Sequence, residues 1–166
     1  MFKINFKEVL LNLLVVFTLF SLDRISKIYI LNLVEMNKTL DIYINSYLNL
    51  YLIWNKGIAF GFLSFDNSTV YNLITMIIII IIFIIMLLIH KSRDKTVYFL
   101  LFILGGAIGN LFDRIYYSSV PDFIDFHING FHWFIFNVAD IFVSIGVLCL
   151  ILAEIFFNKK SKNEIS

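Results

Sequence analysis

Two aspartates stand where an apolar chain has least reason to keep them. Asp122 lies in Val120-Pro-Asp-Phe-Ile-Asp125, just past the block Gly105-Gly-Ala-Ile-Gly-Asn-Leu-Phe-Asp-Arg114, and Asp140 closes Phe136-Asn-Val-Ala-Asp140. Each borders a long hydrophobic run. A charge at mid-bilayer depth costs roughly 2.5–3.5 kcal/mol on insertion scales, so an acid beside such a run is a functional candidate. Two neighbouring carboxylates in a low-dielectric site do not both ionise readily and tend to share a proton. The ionised one can take a proton from water while the protonated one hydrogen-bonds a substrate carbonyl. That is amide hydrolysis without a covalent intermediate. The plain alternative is that acids cap helices, because Asp140 opens a helix whose dipole favours an anion. Residue types alone leave both readings open, and they do not choose between Asp122 and Asp125.

Polar neighbours recur around this pair. Asn110 and Arg114 are one helical turn apart and share a face. Arg114 can hold a carboxylate or a phosphate-like headgroup and Asn110 a peptide carbonyl; alternatively Arg114 pairs locally with Asp113 or Asp122. Asn137 and Asp140, three apart, can face inward together. Asp23 and Lys27 sit at i, i+4, where a salt bridge with snorkelling side chains is the simple expectation. Ser26 and Lys27 are adjacent and point to different faces, which argues against a Ser–Lys dyad. Asn55-Lys-Gly-Ile-Ala-Phe-Gly61 reads as a turn whose small residues, Gly57 among them, admit a close backbone approach. Gly105-x-x-x-Gly109 is a close-packing signal that is weak when taken alone. His127 and His132 lack a His-Glu-x-x-His pattern and a third clustered ligand, so they are expected to be loop histidines. No metal and no cofactor are expected. Cys149 lies in an apolar run and reads as a buried, inert thiol.

The elements that position these residues follow from composition. The chain has 166 residues, 60% of them hydrophobic, with a mean hydropathy of +0.89. That is too apolar for a soluble domain, which would be near half apolar. It reads as one polytopic membrane domain, and its net charge of +1 offers nothing to nucleic acid. Spanning helices need about 20 mostly apolar residues. Four such helices are expected, over residues 8–33, 69–90, 95–114 and 136–157, with outer segments 34–68 and 115–135. Lys3, Lys7, Lys91, Arg93, Lys95, Lys159, Lys160 and Lys162 fall on one side of that arrangement, eight of the thirteen cations. The positive-inside rule makes that side cytoplasmic, both termini with it, and places the acids at the outer face. The first outer segment, rich in Ile and Tyr with partial alternation, favours two or three short strands, and Ile58 to Leu63 a short interfacial helix or loop. The second, with Pro121, is expected to be a loop. The Ile-rich stretch 77–85 is expected to face lipid.

The blocks Asp23-x-x-Ser-Lys27, Asn55-x-Gly-x-Ala-Phe-Gly61, Gly105 to Arg114, Val120-x-Asp-Phe-Ile-Asp125 and Phe136-Asn-Val-Ala-Asp140 together resemble the lipoprotein signal peptidases, signal peptidase II, in order and spacing over about residues 9–157. The resemblance implies an aspartyl endopeptidase of the bacterial inner membrane. It would cut signal peptides from diacylglyceryl-modified prolipoproteins just before the lipidated cysteine. It further implies four helices with a small extracytoplasmic sheet, and Asp122 and Asp140 as the catalytic pair. Asn55, Gly57, Asn110, Arg114 and Asn137 would bind substrate, with Asp23 and Lys27 in support. Sensitivity to cyclic-peptide inhibitors such as globomycin comes with the same resemblance; membrane lipid is an expected partner, and a monomer is the default expectation. Three positions depart from the family pattern: Ile58 where Ala is usual, Pro121 where Val is common, and Phe134 where Pro is usual. Two other classes compete. A proton-coupled transporter would place acids along a path across the membrane, but here they cluster at one face. A non-catalytic assembly factor leaves the paired acids, amides and Arg114 without a use.

Overall fold

The computed structural model describes residues 6–57, 68–92 and 94–163. The element order is α1 (Phe6–Asn37), β1 (Asp41–Asn45), β2 (Leu48–Asn55), α2 (Ser68–Lys91), α3 (Thr96–Tyr117), β3 (Val120–Ile128), β4 (Phe131–Phe136) and α4 (Val138–Asn163). All four helices are long and apolar enough to cross a membrane, with mean hydropathies from 1.6 to 3.3. The four strands form one antiparallel sheet in the order β1-β2-β3-β4. The segment Ile58 to Leu63, with the departure at Ile58, and the tail and loop cations Lys3 and Arg93 lie outside the described residues.

Helix α3 is the centre of the bundle. Of its apolar window 39% is buried, against 11% for α1 and 17% for α2. The reason is its glycines. A Cβ on Gly105 would come within 2.7 Å of Leu19 Cβ on α1, and one on Gly109 within 2.7 Å of Asp23 Oδ2. One on Gly106 would run into the Ala139 carbonyl of α4. The Gly105-x-x-x-Gly109 spacing therefore lets α1 approach α3 at the level of the charged residues, with Gly106 doing the same for α4. Ile82 and Ile85 of α2 pack on Leu100, Ile103 and Leu104 of α3, while Ile77, Ile79, Ile80, Ile81 and Ile84 turn outward. The outward isoleucines have lipid as their natural surroundings.

The sheet stands on the ends of the helices. Ile30 of α1, Leu40 and Phe123 of β3 are buried together, with Leu50, Leu52 and Val138 against them. Two expectations need correction here. The second outer segment is a β-hairpin, not a loop. Its turn residues Asn129 and Gly130 have φ of 51° and 77°, and Ile128 pairs with Phe131 across them. An Asn-Gly pair between β-branched and aromatic runs is the sequence of a two-residue type I′ hairpin. Pro121 fits because it falls near the start of β3, beside Trp54 of β2. The other correction concerns α1, which runs on to Asn37 rather than ending near residue 33, so Asp23, Arg24 and Lys27 are mid-helix. Lys27 does not snorkel: it is 1% exposed.

Candidate functional site

Six of the residues singled out by sequence, Asn55, Asn110, Arg114, Asp122, Asn137 and Asp140, line one cavity of about 200 Å³. They arrive from β2, α3, β3 and the start of α4. The other wall is apolar, formed by Ile78, Ile81 and Ile85 of α2 with Ile103, Ala107 and Val143. Ile81 borders the cavity and is still 47% exposed, so the apolar flank meets the outer surface of the bundle.

Asn137 joins the two aspartates. Its side-chain amide donates to Asp122 Oδ1 at 2.6 Å. Its Oδ1 accepts the backbone N–H of Asp140 at 3.1 Å, and Asp140 Oδ2 accepts the backbone N–H of Asn137 at 3.2 Å. That reciprocal pair is a capping box, with Asn137 as N-cap and Asp140 as the third helical residue. The capping reading of Asp140 therefore holds, and the same carboxylate also accepts from Asn110 Nδ2 at 2.8 Å and lines the cavity. Asp122 takes a second amide from Asn55 Nδ2 at 2.8 Å. Burial first, and the negative Asp140 second, push the Asp122 carboxyl up to about 7, against the opposing pull of the two amides. Two buried acids thus border one cavity, with Asn137 bonded to both.

Asn55 also fixes the chain beyond β2, its Oδ1 accepting the Gly57 N–H at 2.7 Å. Gly57 is not among the residues lining the cavity; its carbonyl accepts from Arg114 Nη2. Arg114 lies over the Tyr71 ring at 5.3 Å, and its Nη1 is buried with no hydrogen-bond partner among the described residues. The local pairing of Arg114 with Asp113 or Asp122 does not form among the described residues: Asp113 instead holds Arg24 and Lys27.

Asp23 and Lys27 stand behind the cavity. Lys27 Nζ donates to Asn110 Oδ1 at 3.0 Å, and this turns the Asn110 amide toward Asp140. Asp23 Oδ1 accepts the backbone N–H of Ala139 at 3.0 Å, an anion on the first turn of α4. Sequence reasoning missed two members of this group, Arg24 and Asp113. Asp113 is 0% exposed in a spanning helix. An acid inside an apolar segment was the available signal, and it applied to Asp113 as well as to its neighbours.

Asp125 parts company with Asp122. It is absent from the cavity lining and its Oδ2 lies 2.7 Å from His132 Nδ1. His127 and His132 lie on β3 and β4, not in a loop. Phe134 is a partly exposed β4 residue, and nothing in the structure explains its departure from the family pattern.

The chain is similar to known proteins over nearly its whole length. The family described as signal peptidase (SPase) II matches residues 15–156. The lipoprotein signal peptidase of Pelagibacter ubique (strain HTCC1062) is 56% identical, covering 98% of both chains. That of Anaplasma phagocytophilum (strain HZ) is 35% identical over 90% of this chain and 94% of its own. Among solved structures, one titled as a bacterial membrane enzyme determined by the in meso method at 2.3 Å resolution superposes with a TM-score of 0.67. It is 26% identical and covers 98% of this chain and 95% of that one. With its four apolar helices, its four-stranded sheet and a match running nearly end to end, the chain belongs to the signal peptidase II family of aspartic-type membrane peptidases.

Proposed function

We propose that this protein removes the signal peptide from diacylglyceryl-modified prolipoproteins, cutting before the lipidated cysteine with Asp122 and Asp140 as the catalytic pair. The observation that carries the reading is the pair itself: both carboxyls are buried, both border one cavity, and Asn137 binds both. With one proton on the dyad, the ionised carboxylate takes a proton from a water as its oxygen adds to the scissile carbonyl. The protonated carboxyl donates to that carbonyl oxygen as charge develops on it. The tetrahedral species then collapses, its C–N bond breaks, and the leaving nitrogen receives the proton first taken from water. Because both reacting groups are carboxyls and the nucleophile is water, no acyl-enzyme forms.

The walls support the substrate class. The polar half of the cavity offers Asn110, Asn137 and Arg114, whose Nη1 has no partner among the described residues, to peptide or ester carbonyls. The isoleucine flank on α2 suits acyl chains entering from the side. The distribution of Lys and Arg supports both termini in the cytoplasm and the sheet at the outer face of a bacterial inner membrane. The test is cleavage by purified protein in detergent, using a diacylglyceryl-modified prolipoprotein. Wild type is expected to release the signal peptide and Asp122→Asn and Asp140→Asn to leave it uncut. Folded wild type that leaves the precursor intact, beside an active relative, overturns the reading.

A further inference from the structure

Away from the cavity, a second cluster of chemistry-bearing side chains lies where β2, β3 and β4 run side by side. Asp125 and His127 come from β3 and His132 from β4, with His127 paired to His132 across the hairpin. One ligand atom from each of the three lies within 4.8 Å of the others. His132 Nδ1 is 2.7 Å and His127 Nδ1 3.7 Å from the same Asp125 oxygen, and the two rings are 5.4 Å apart. A cross-strand Asp–His hydrogen bond explains the shortest of these contacts and leaves the rest unexplained. Asp125, 1% exposed, has its Oδ1 buried with no hydrogen-bond partner among the described residues. His127, 8% exposed, has its Nδ1 in the same condition. So does Oδ1 of Asn49, which faces Asp125 in the β2–β3 register. Buried polar atoms of native proteins are nearly always paired, and a carboxylate oxygen, an amide oxygen and a ring nitrogen without partners among the described residues, on neighbouring strands, mark a place suited to something electropositive.

We propose that Asp125, His127 and His132 bind one divalent transition-metal ion of the zinc class. Two imidazole nitrogens and one carboxylate oxygen suit Zn²⁺, Ni²⁺ or Cu²⁺ rather than Ca²⁺ or Mg²⁺, which prefer oxygen. Ligand atoms about 2.1 Å from a tetrahedral ion lie about 3.4 Å apart, inside the span that these three atoms cover. Closing on the ion asks the 57% exposed His132 ring to give up its direct hydrogen bond, and its exposure leaves room for water as a fourth ligand. The ion would satisfy Asp125 and His127 together and tie β3 to β4 three residues beyond Asp122. The site shares no residue with the catalytic pair, so it stands or falls independently of the proposed peptidase mechanism.

The experiment is a titration of tag-free, chelator-treated full-length protein in detergent with ZnCl₂, read by calorimetry, and with Co²⁺, read by its visible ligand-field bands. Wild type is expected to take up one Zn²⁺ per chain and to give Co²⁺ bands of a nitrogen-containing, low-coordinate site. His132→Ala, at an exposed position, and His127→Gln are each expected to weaken binding by about ten- to hundredfold or more. Asp122→Asn is expected to bind as wild type does. Failure of wild type to bind either ion overturns the proposal, leaving the cluster a proton-satisfied Asp–His pair. Uptake that survives both histidine substitutions, or that is lost in Asp122→Asn and kept in His132→Ala, places the ion elsewhere and overturns it equally.

Discussion

Asn137 donates its side-chain amide to Asp122 at 2.6 Å while its side-chain oxygen caps α4, whose third residue is Asp140. One residue therefore sets the distance between a strand and a helix and the orientation of a carboxylate on each. The two roles use different atoms. Nδ2 belongs to Asp122, and Oδ1 belongs to the backbone N–H of Asp140.

Substitution at this position separates those roles. Asn137→Ala removes both, and loss of the cap is expected to cost about 0.5–2 kcal/mol of stability. Asn137→Ser keeps a capping oxygen but is too short to hold Asp122. Both variants are expected to cleave poorly, with only the alanine variant losing thermal stability in detergent. Full activity in Asn137→Ser would show that capping is all that Asn137 does.

Replacing either member of the proposed dyad tests its roles directly. Asp122→Asn and Asp140→Asn are each expected to lower kcat/KM by at least about 10²–10⁴-fold, the usual worth of one general acid or base. Asp125→Asn is expected to keep most activity, because Asp125 bonds to His132 on the hairpin and does not border the cavity. An inactive Asp125→Asn beside an active Asp122→Asn would reverse the assignment. These rates are read with lipidated precursor in detergent.

The pH profile carries its own sign. Burial and the neighbouring Asp140 raise the Asp122 carboxyl from 3.8 to about 7. A raised value means the folded protein binds this proton more tightly than the unfolded chain does. The group thus lowers stability progressively as pH climbs from the unfolded value to the folded one. For the reaction, the dyad must keep one proton, so kcat/KM is expected to fall as pH rises past about 7. The amide of Asn55 favours the ionised form of Asp122, so Asn55→Ala is expected to move this alkaline limb upward. A limb that moves downward would contradict the hydrogen bond's assigned role.

The sequence made the site legible more fully than the sheet. Asp122, Asp140, Asn110, Arg114 and Asn137 stand out because polar groups beside apolar spans are costly and conspicuous. The one-turn spacing of Asn110 and Arg114 put them on one face, and both line the cavity. Less legible was the hairpin β3–β4. Pro121 drew attention to a loop, although the Asn129-Gly130 pair between two β-rich runs was the stronger signal. The depth of Lys27 was misread because i, i+4 spacing reveals Asp23 but not Asp113, which comes from another helix 86 positions away. Likewise, Asp125 joins the two histidines only through strand register, so no sequence spacing marks the three as a cluster.

The buried charges between α1 and α3 give the last prediction. Arg24 grips Asp113 with two nitrogens, at 2.5 and 2.8 Å, and reaches Asp23 at 2.7 Å. Lys27 bonds Asp113 at 2.6 Å and Asp23 at 3.0 Å. Two cations thus face two anions in the interior of the bundle, and the group is neutral as a whole. Asp113→Asn leaves two cations against one carboxylate, and breaking such a buried pair is expected to cost about 3–5 kcal/mol. Adding Lys27→Met removes the surplus cation and leaves Arg24 opposite Asp23. The double variant is therefore expected to unfold later than Asp113→Asn alone, with a coupling in the range of about 0.5–3 kcal/mol. It should nevertheless cleave poorly, because it lacks the Lys27 hydrogen bond that holds the Asn110 side chain in its orientation toward Asp140. Thermal unfolding and cleavage measured on the same detergent samples separate the two effects. Simple additivity of the two substitutions would mean that charge balance does not hold this group together.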